Sequence, residues 1–275
     1  MANQISTTAR ETAAIVPEVW SAKFYQTLLA ELPFNALIDK TYTGDISALG
    51  DVVHISEIPE FADIESELPE GAVNDADSVT IKGYPLTINR RVPKDYLVTK
   101  KSELQSLTHM DRLRDRAIYA IMKRIQRLII NIINPEGMPI ALSSNSLSIE
   151  NLIAGKGRLD NRNVPLQGRY GVFEPVVYNS VLSLAGFTSR DYVPAGSPLS
   201  GGSLTVPVLG FDLKMTTELS SSYLFHPSFA TLALQQDLSI GVFNTGVDGL
   251  RGTRVNVDVL LGLRQMDSNR IVELA

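Results

Sequence analysis

The chain has 275 residues, 44% hydrophobic and 20% charged, with a formal net charge of −5 and no cysteine. That length and apolar content support a real core in one large domain or two modest ones, and the acidic balance argues against a sequence-independent nucleic-acid binder, which needs a basic footprint. Without cysteine there are no disulfides or thiolate metal sites, and no basic region followed by an apolar run marks a signal peptide.

Residues 1–16 (MANQISTTARETAAIV) are small, polar and poor in apolar side chains, which predicts an arm that orders only against a neighbour. Pro17 opens a predicted helix with Glu18 in its first turn, Trp20, Phe24, Leu28 and Leu32 at spacing four, and Pro33 as its end. Residues 41–58 read as a strand, with Gly44, Asp45 and Gly50 as turn formers and Val52, Val53 and Ile55 as β formers. Residues 57–77 then carry eight acids and no Lys or Arg. Residues 78–92 alternate again through Val79, Ile81, Tyr84, Leu86 and Ile88. Two extended runs around an acidic tip predict a long β-hairpin. Such a hairpin cannot bury both faces within its own chain and therefore needs a partner.

Residues 108–134 contain neither Pro nor Gly and predict the longest helix. Thr108 is the expected N-cap, Asp111 meets the free N–H groups of the first turn, and Pro135 forbids continuation. Leu113, Ala117, Ile121, Ile125, Leu128, Ile129 and Ile132 give one apolar face. Three bases between positions 123 and 127 exclude a membrane span. At ~1.5 Å per residue the helix would be about 40 Å long, a spine for other elements. Next come a short helix over 148–163 capped by Ser148, a strand at 170–173 and a helix at 175–184. A Pro/Gly/Ser-rich loop follows at 190–203, then strands at 205–208, 213–217, 223–226 and 255–263, with residues 227–236 read as a helix. Helices and strands are mixed, so the expected class is α+β.

Chemistry-bearing patterns are few. His54, His109 and His226 have no second His or acid at metal-ligand spacing, so a satisfied structural role is expected for each. GKGRLD at 155–160 has Asp160 where a dinucleotide loop needs its third Gly, and it falls in or after a helix. The acidic run lacks the spacing of a calcium loop. No cofactor is expected. An enzyme reading would be a soluble hydrolase using His54 or His226.

The order of parts is more informative. An arm, VPEVW at 16–20, GDVVHI at 50–55, an acidic hairpin, a charged spine helix and NVPLQGRYGVFEPVVYNSVL at 163–182 follow one another. This order resembles the major capsid proteins of tailed bacteriophages, which share the α+β fold named after phage Hong Kong 97. The resemblance implies an N-terminal arm (1–16), an arm-to-body helix (17–40) and an extended hairpin or E-loop (41–92). It further implies a P domain (93–147) with spine helix 108–134, an A domain (148–250) and return strands to the P domain (251–275). The implied function is a non-enzymatic virion shell protein, assembled in the host cytoplasm into hexamers and pentamers of an icosahedral head around double-stranded DNA. The implied partners are further copies of the chain, a portal protein and a cement or decoration protein; no membrane is involved. The best-known member has a long N-terminal scaffolding region. Here only residues 1–16 precede the junction, which implies a separate scaffolding protein. No motif matches that member's cross-linking residues. A cellular nanocompartment shell, an encapsulin, shares the fold and is the alternative.

Residues 88–127 carry eleven bases against four acids, opposite in sign to residues 57–77. E-loops of this family overlap adjacent subunits, so an inter-subunit contact is expected between Glu65, Glu67 and Glu70 of one copy and Arg112 and Arg116, at i and i+4, of another.

Overall fold

Alternating side chains build the first sheet. Strand β2 (Lys82–Thr99) buries Leu86, Ile88, Val92 and Val98, and its pairing register shifts between Ile88 and Arg90. Strand β1 (Val52–Glu57) pairs with its start, from Val52 opposite Thr87 to Glu57 opposite Lys82. Its other end pairs with β9 (Gly252–Gln265), which in turn pairs with β8 (Ala230–Thr245). The order is β1-β2-β9-β8, antiparallel throughout. The computed structural model describes residues 32–46, 52–57, 81–99, 110–143, 146–184, 199–200, 203–204, 207–245 and 252–275.

Every second residue of β9, namely Val255, Val257, Val259, Leu261 and Leu263, is buried in one cluster with Ala117, Ile121, Ile125 and Ile129. Those four stand at spacing four on helix α2 (Met110–Ile132), the spine that the sequence predicts over 108–134. Its 23 residues span about 34 Å at ~1.5 Å each. The expected cap Thr108 and the expected helix over 17–32 lie outside the described residues. Pro33 begins helix α1 (Pro33–Leu37), occupying the first turn where a missing N–H costs nothing.

Two stretches differ from expectation. Residues 41–46 form a 3₁₀ turn and not a strand, because the Asp39 carboxylate accepts from Thr41 N (3.0 Å) and Thr41 Oγ1 and starts a turn. Residues 227–236 are not helical. A single 3₁₀ turn (Pro227–Phe229) leads directly into β8. The segment Phe229, Ala230, Thr231, Leu232, Ala233 is buried without a break, with Ala230 and Leu232 in the α2 core and Ala233 in a smaller cluster with Ile55, Leu86 and Ile88. Burial on both faces erases the period of two, and a short apolar run then reads equally well as helix.

The second sheet has the order β10-β7-β3-β6, from β3 (Arg169–Phe173), β6 (Phe211–Met215), β7 (Ser222–Phe225) and β10 (Ile271–Leu274). The β3–β6 pair is parallel, with helix α4 (Pro175–Leu182) following β3 in the connection. Two short strands, β4 (Leu199–Ser200) and β5 (Ser203–Leu204), pair with each other. Helix α3 (Ile149–Asp160) starts where Ser148 Oγ accepts from Asn151 N, as its sequence suggests. Gly155 lies inside α3. A Cβ there would sit 2.4 Å from Leu224 Cδ1 of β7, so the glycine permits close helix–sheet packing. Buried Arg169 joins the end of α3 to β3, donating to Asp160 Oδ1 (2.6 Å), Val164 O (2.7 Å) and Pro165 O (2.8 Å).

Aromatic packing and one carboxylate tie the two sheets to α2. Phe225 of β7 stacks on Phe34 of α1 (centroids 5.3 Å apart) and meets Phe229 edge-on (5.1 Å). Glu218, in the turn between β6 and β7, accepts from Lys123 Nζ (2.7 Å) and from Arg127 Nε and Nη2 (both 2.9 Å). Its side chain is 11% exposed. Hydrogen bonds from Lys123 and then Arg127 hold its carboxyl below the usual glutamate range against the opposing cost of burial. Between these two bases on α2, buried Gln126 donates to Thr216 Oγ1 (3.3 Å) in the same turn.

Two predictions follow from this packing. Glu218→Gln removes the charge from a clamp whose cations are only partly exposed, and should cost about 1–2 kcal/mol at neutral pH. A lowered folded-state pKa stabilises above the unfolded value and is lost as pH falls through the folded one. The gap in Tm between wild type and variant should therefore be constant above the glutamate range and close in acid. Gly252→Ala places a Cβ 2.3 Å from Val98 O, a backbone atom, and should lower Tm, whereas Gly157→Ala, with open space at the Cβ, should raise stability by about 0.5–1 kcal/mol. Thermal melts of the two variants check the opposite signs.

Candidate assembly surface

The bases counted in the sequence are not equally available. Lys123 and Arg127 hold Glu218. Arg91 Nε donates to Asp258 Oδ2 (2.7 Å), on the sheet face away from α2. One residue pair along, Asp95 accepts from Arg254 and Asn256 of β9, and those bonds, Arg254 first, lower its pKa. Of the expected contact residues, Glu65, Glu67 and Glu70 lie outside the described residues. Arg112 is within α2. Arg116 is half-buried on the same helix and already engaged.

Two bases missing from that short set are better exposed than Arg116. Lys94 of β2 and Arg124 of α2 stand at an open hollow of about 360 Å³ that Val92, Pro93, Ala120 and Ile121 also line. An apolar lining beside cations suits a segment that mixes acids and apolar side chains. No local signal in the sequence separates Arg124 from Lys123 or Arg127. The difference is the position of Glu218, 91 residues from Arg127.

The histidines have structural surroundings. His54 is exposed on β1 opposite Pro85, and His109 lies outside the described residues. His226 caps the 3₁₀ turn: Ser228 N donates to Nδ1 (3.3 Å), and Ser228 Oγ lies 2.6 Å from the same atom. Arg270 Nη1 donates to Ser228 Oγ (2.8 Å), which turns the hydroxyl hydrogen towards Nδ1. The ring is thus an acceptor at Nδ1 and neutral. Burial, then Arg270 and Arg169, lower its pKa. A Ser–His pair activated for attack needs a carboxylate that stabilises the imidazolium, whereas the charges acting on this ring are cations. Among the described residues no group of three or more His, Cys, Asp or Glu side chains could hold a metal, and no helix is long and apolar enough to cross a membrane.

Further surface features are apolar. Ile240 and Val242 of β8, Ile149 and Ile153 of α3, Val176 of α4, and Met138, Leu166 and Leu209 in connections are all exposed. Scattered single residues are ordinary, but this many large ones on elements already packed on their other side suit a subunit with several neighbours.

No protein-family model matches the chain, and no curated protein matches its sequence. Its backbone does match solved structures. A chain from Mycobacterium phage Che8 aligns with TM-score 0.75 at 20% identity, over 94% of this chain and 96% of that one. The capsid of cyanophage P-SCSP1u aligns with TM-score 0.75 at 12% identity, over 94% and 92%. A virus-like particle from Pyrococcus furiosus aligns with TM-score 0.58 at 17% identity, over 88% and 91%. The arrangement of a long helix across one antiparallel sheet, joined to a smaller mixed sheet, is therefore an α+β fold of the Hong Kong 97 capsid type.

Proposed function

We propose that this chain is the major capsid protein of a tailed bacteriophage. The observation that carries the reading is the near-complete mutual coverage with a phage capsid chain, 94% of this chain and 92% of the other. On this reading the chain assembles into hexamers and pentamers of an icosahedral head that encloses double-stranded DNA. A scaffolding protein acts with it during assembly, and a portal and a cement protein act with it in the virion. The sheet β10-β7-β3-β6 with α3 and α4 is then the A domain. Strand β8, which pairs beside β9, goes with α2 and the P domain, and β1 and the start of β2 form the base of the E-loop. The second reading is an encapsulin shell, supported by the match to the Pyrococcus furiosus particle. Negative-stain microscopy of purified protein tests the shared part: closed particles are expected, and a persistent 30.1 kDa monomer would sink both readings. Double-stranded DNA in native particles then favours the phage, and packaged cargo enzymes the encapsulin.

The acidic segment 57–77 is assigned to the basic surface of an adjacent subunit. Its acids are interspersed with Ile58, Phe61, Ile64 and Leu68, which suits the hollow beside Lys94 and Arg124. Exposed ion pairs contribute only ~0–1 kcal/mol each, so the contact sets register more than affinity. Glu65→Lys with Glu67→Lys should impair assembly. Two rescues are compared, Arg112→Glu with Arg116→Glu and Lys94→Glu with Arg124→Glu, and the second should restore more particles. Normal assembly of the acid reversal at low salt contradicts the pairing.

A further inference from the structure

The edge strand β8 has two unlike halves. In the first half its outer side is occupied. Leu232 N donates to Asp39 O (2.9 Å), Thr231 Oγ1 donates to the same carbonyl, and Thr43 Oγ1 donates to Leu232 O. From Ile240 to Thr245 the strand pairs with β9 on its inner side, and among the described residues nothing pairs on the other.

Proteins blunt such edges with charge, proline or bulges. Residues 239–245 (SIGVFNT) contain no charge and no proline, and the register irregularities of β8 fall before Ser239. The opposite edge, β1, is only six residues long and carries His54 and Glu57. Ile240 and Val242 are 43% and 62% exposed, although their β9 partners Val257 and Val255 are buried on the same sheet face. The apolar stripe of β9 thus continues onto an uncovered strand.

We infer that residues 239–243 of β8 pair antiparallel with the same residues of a second copy, as a two-fold strand contact inside the assembled shell. The inference rests on the shell reading, which supplies copies at high local concentration. The strand is its own complement. With the two-fold axis at Gly241, Ile240 faces Val242 of the partner subunit twice on one face, and no charges are opposed. A foreign peptide would find main-chain groups here but no charge or side-chain pocket to read. The contact is far smaller than the ~1,200 Å² of a stable free complex, so it forms where other contacts already hold subunits together.

The absence of cysteine makes the test direct. In this register Gly241 lies opposite Gly241 of the partner subunit at a Cα separation of about 4.5–5.5 Å, within disulfide reach. Oxidised particles of Gly241→Cys, run on a non-reducing gel, should migrate mostly as covalent dimers. Val242→Lys should leave the Tm of the free subunit unchanged but lower particle yield by about tenfold, because a lysine blunts the edge. Cysteine particles that stay monomeric on the gel, or lysine particles formed at wild-type yield, overturn the inference. If the cysteine variant forms no particles, the lysine variant decides alone. Failure of the wild-type chain to form particles contradicts the shell reading instead.

Discussion

The structure depends on one-sided burial of a long sheet. Strands of up to 18 residues cannot cover their own apolar face, and β9 alone presents five branched aliphatic side chains on it. Fully burying each contributes about 1.5–3 kcal/mol. Among the described helices only α2 is long enough to supply the cover, and its four-residue spacing of Ala117, Ile121, Ile125 and Ile129 matches that stripe. Once α2 is fixed, its other contacts follow. Lys123 and Arg127 reach Glu218, and Phe225 and Ile271 of the second sheet enter the same core.

The consequence is a subunit with long elements and shallow cover. The first sheet is a ribbon along an 18-residue strand, about 60 Å at ~3.3 Å per residue, and α2 crosses only part of it. Val52 of β1, Leu97 of β2 and Ile240 and Val242 of β8 are apolar and exposed on the ribbon. A monomeric enzyme hides such surface around a concave site. Among the described residues this chain offers shallow hollows, exposed aliphatic side chains and a strand edge without a second partner strand, which suit the proposed role of a tile with neighbours on several sides.

Much of the fold was legible because its signals are local. The spine has an unbroken 3.6 period and Pro135 beyond it; Ser148 caps α3; Pro175 starts α4. The resemblance carried by the order of parts extended this to the fold type. What could not be read depends on distant partners. Residues 230–236 become a strand because β9 pairs with them; the exception is 41–46, which becomes a turn through a local signal, the Asp39 side chain. The contact surface was legible only as charge totals. The sequence places eleven bases in 88–127, but Asp258 and Glu218 engage three of them and Arg116 is engaged as well. Among the described bases, Arg124 and Lys94 emerge as exposed and outside these ion pairs only after folding.

The most direct measurement is a cryo-electron microscopy reconstruction of particles grown from the purified chain. The account predicts a closed icosahedral shell in which every subunit keeps α2 across β2-β9-β8 with Glu218 between Lys123 and Arg127. Its hairpin segment should also cross onto an adjacent copy. A reconstruction in which subunits touch without that crossing, or a preparation that yields only folded monomers, would contradict it.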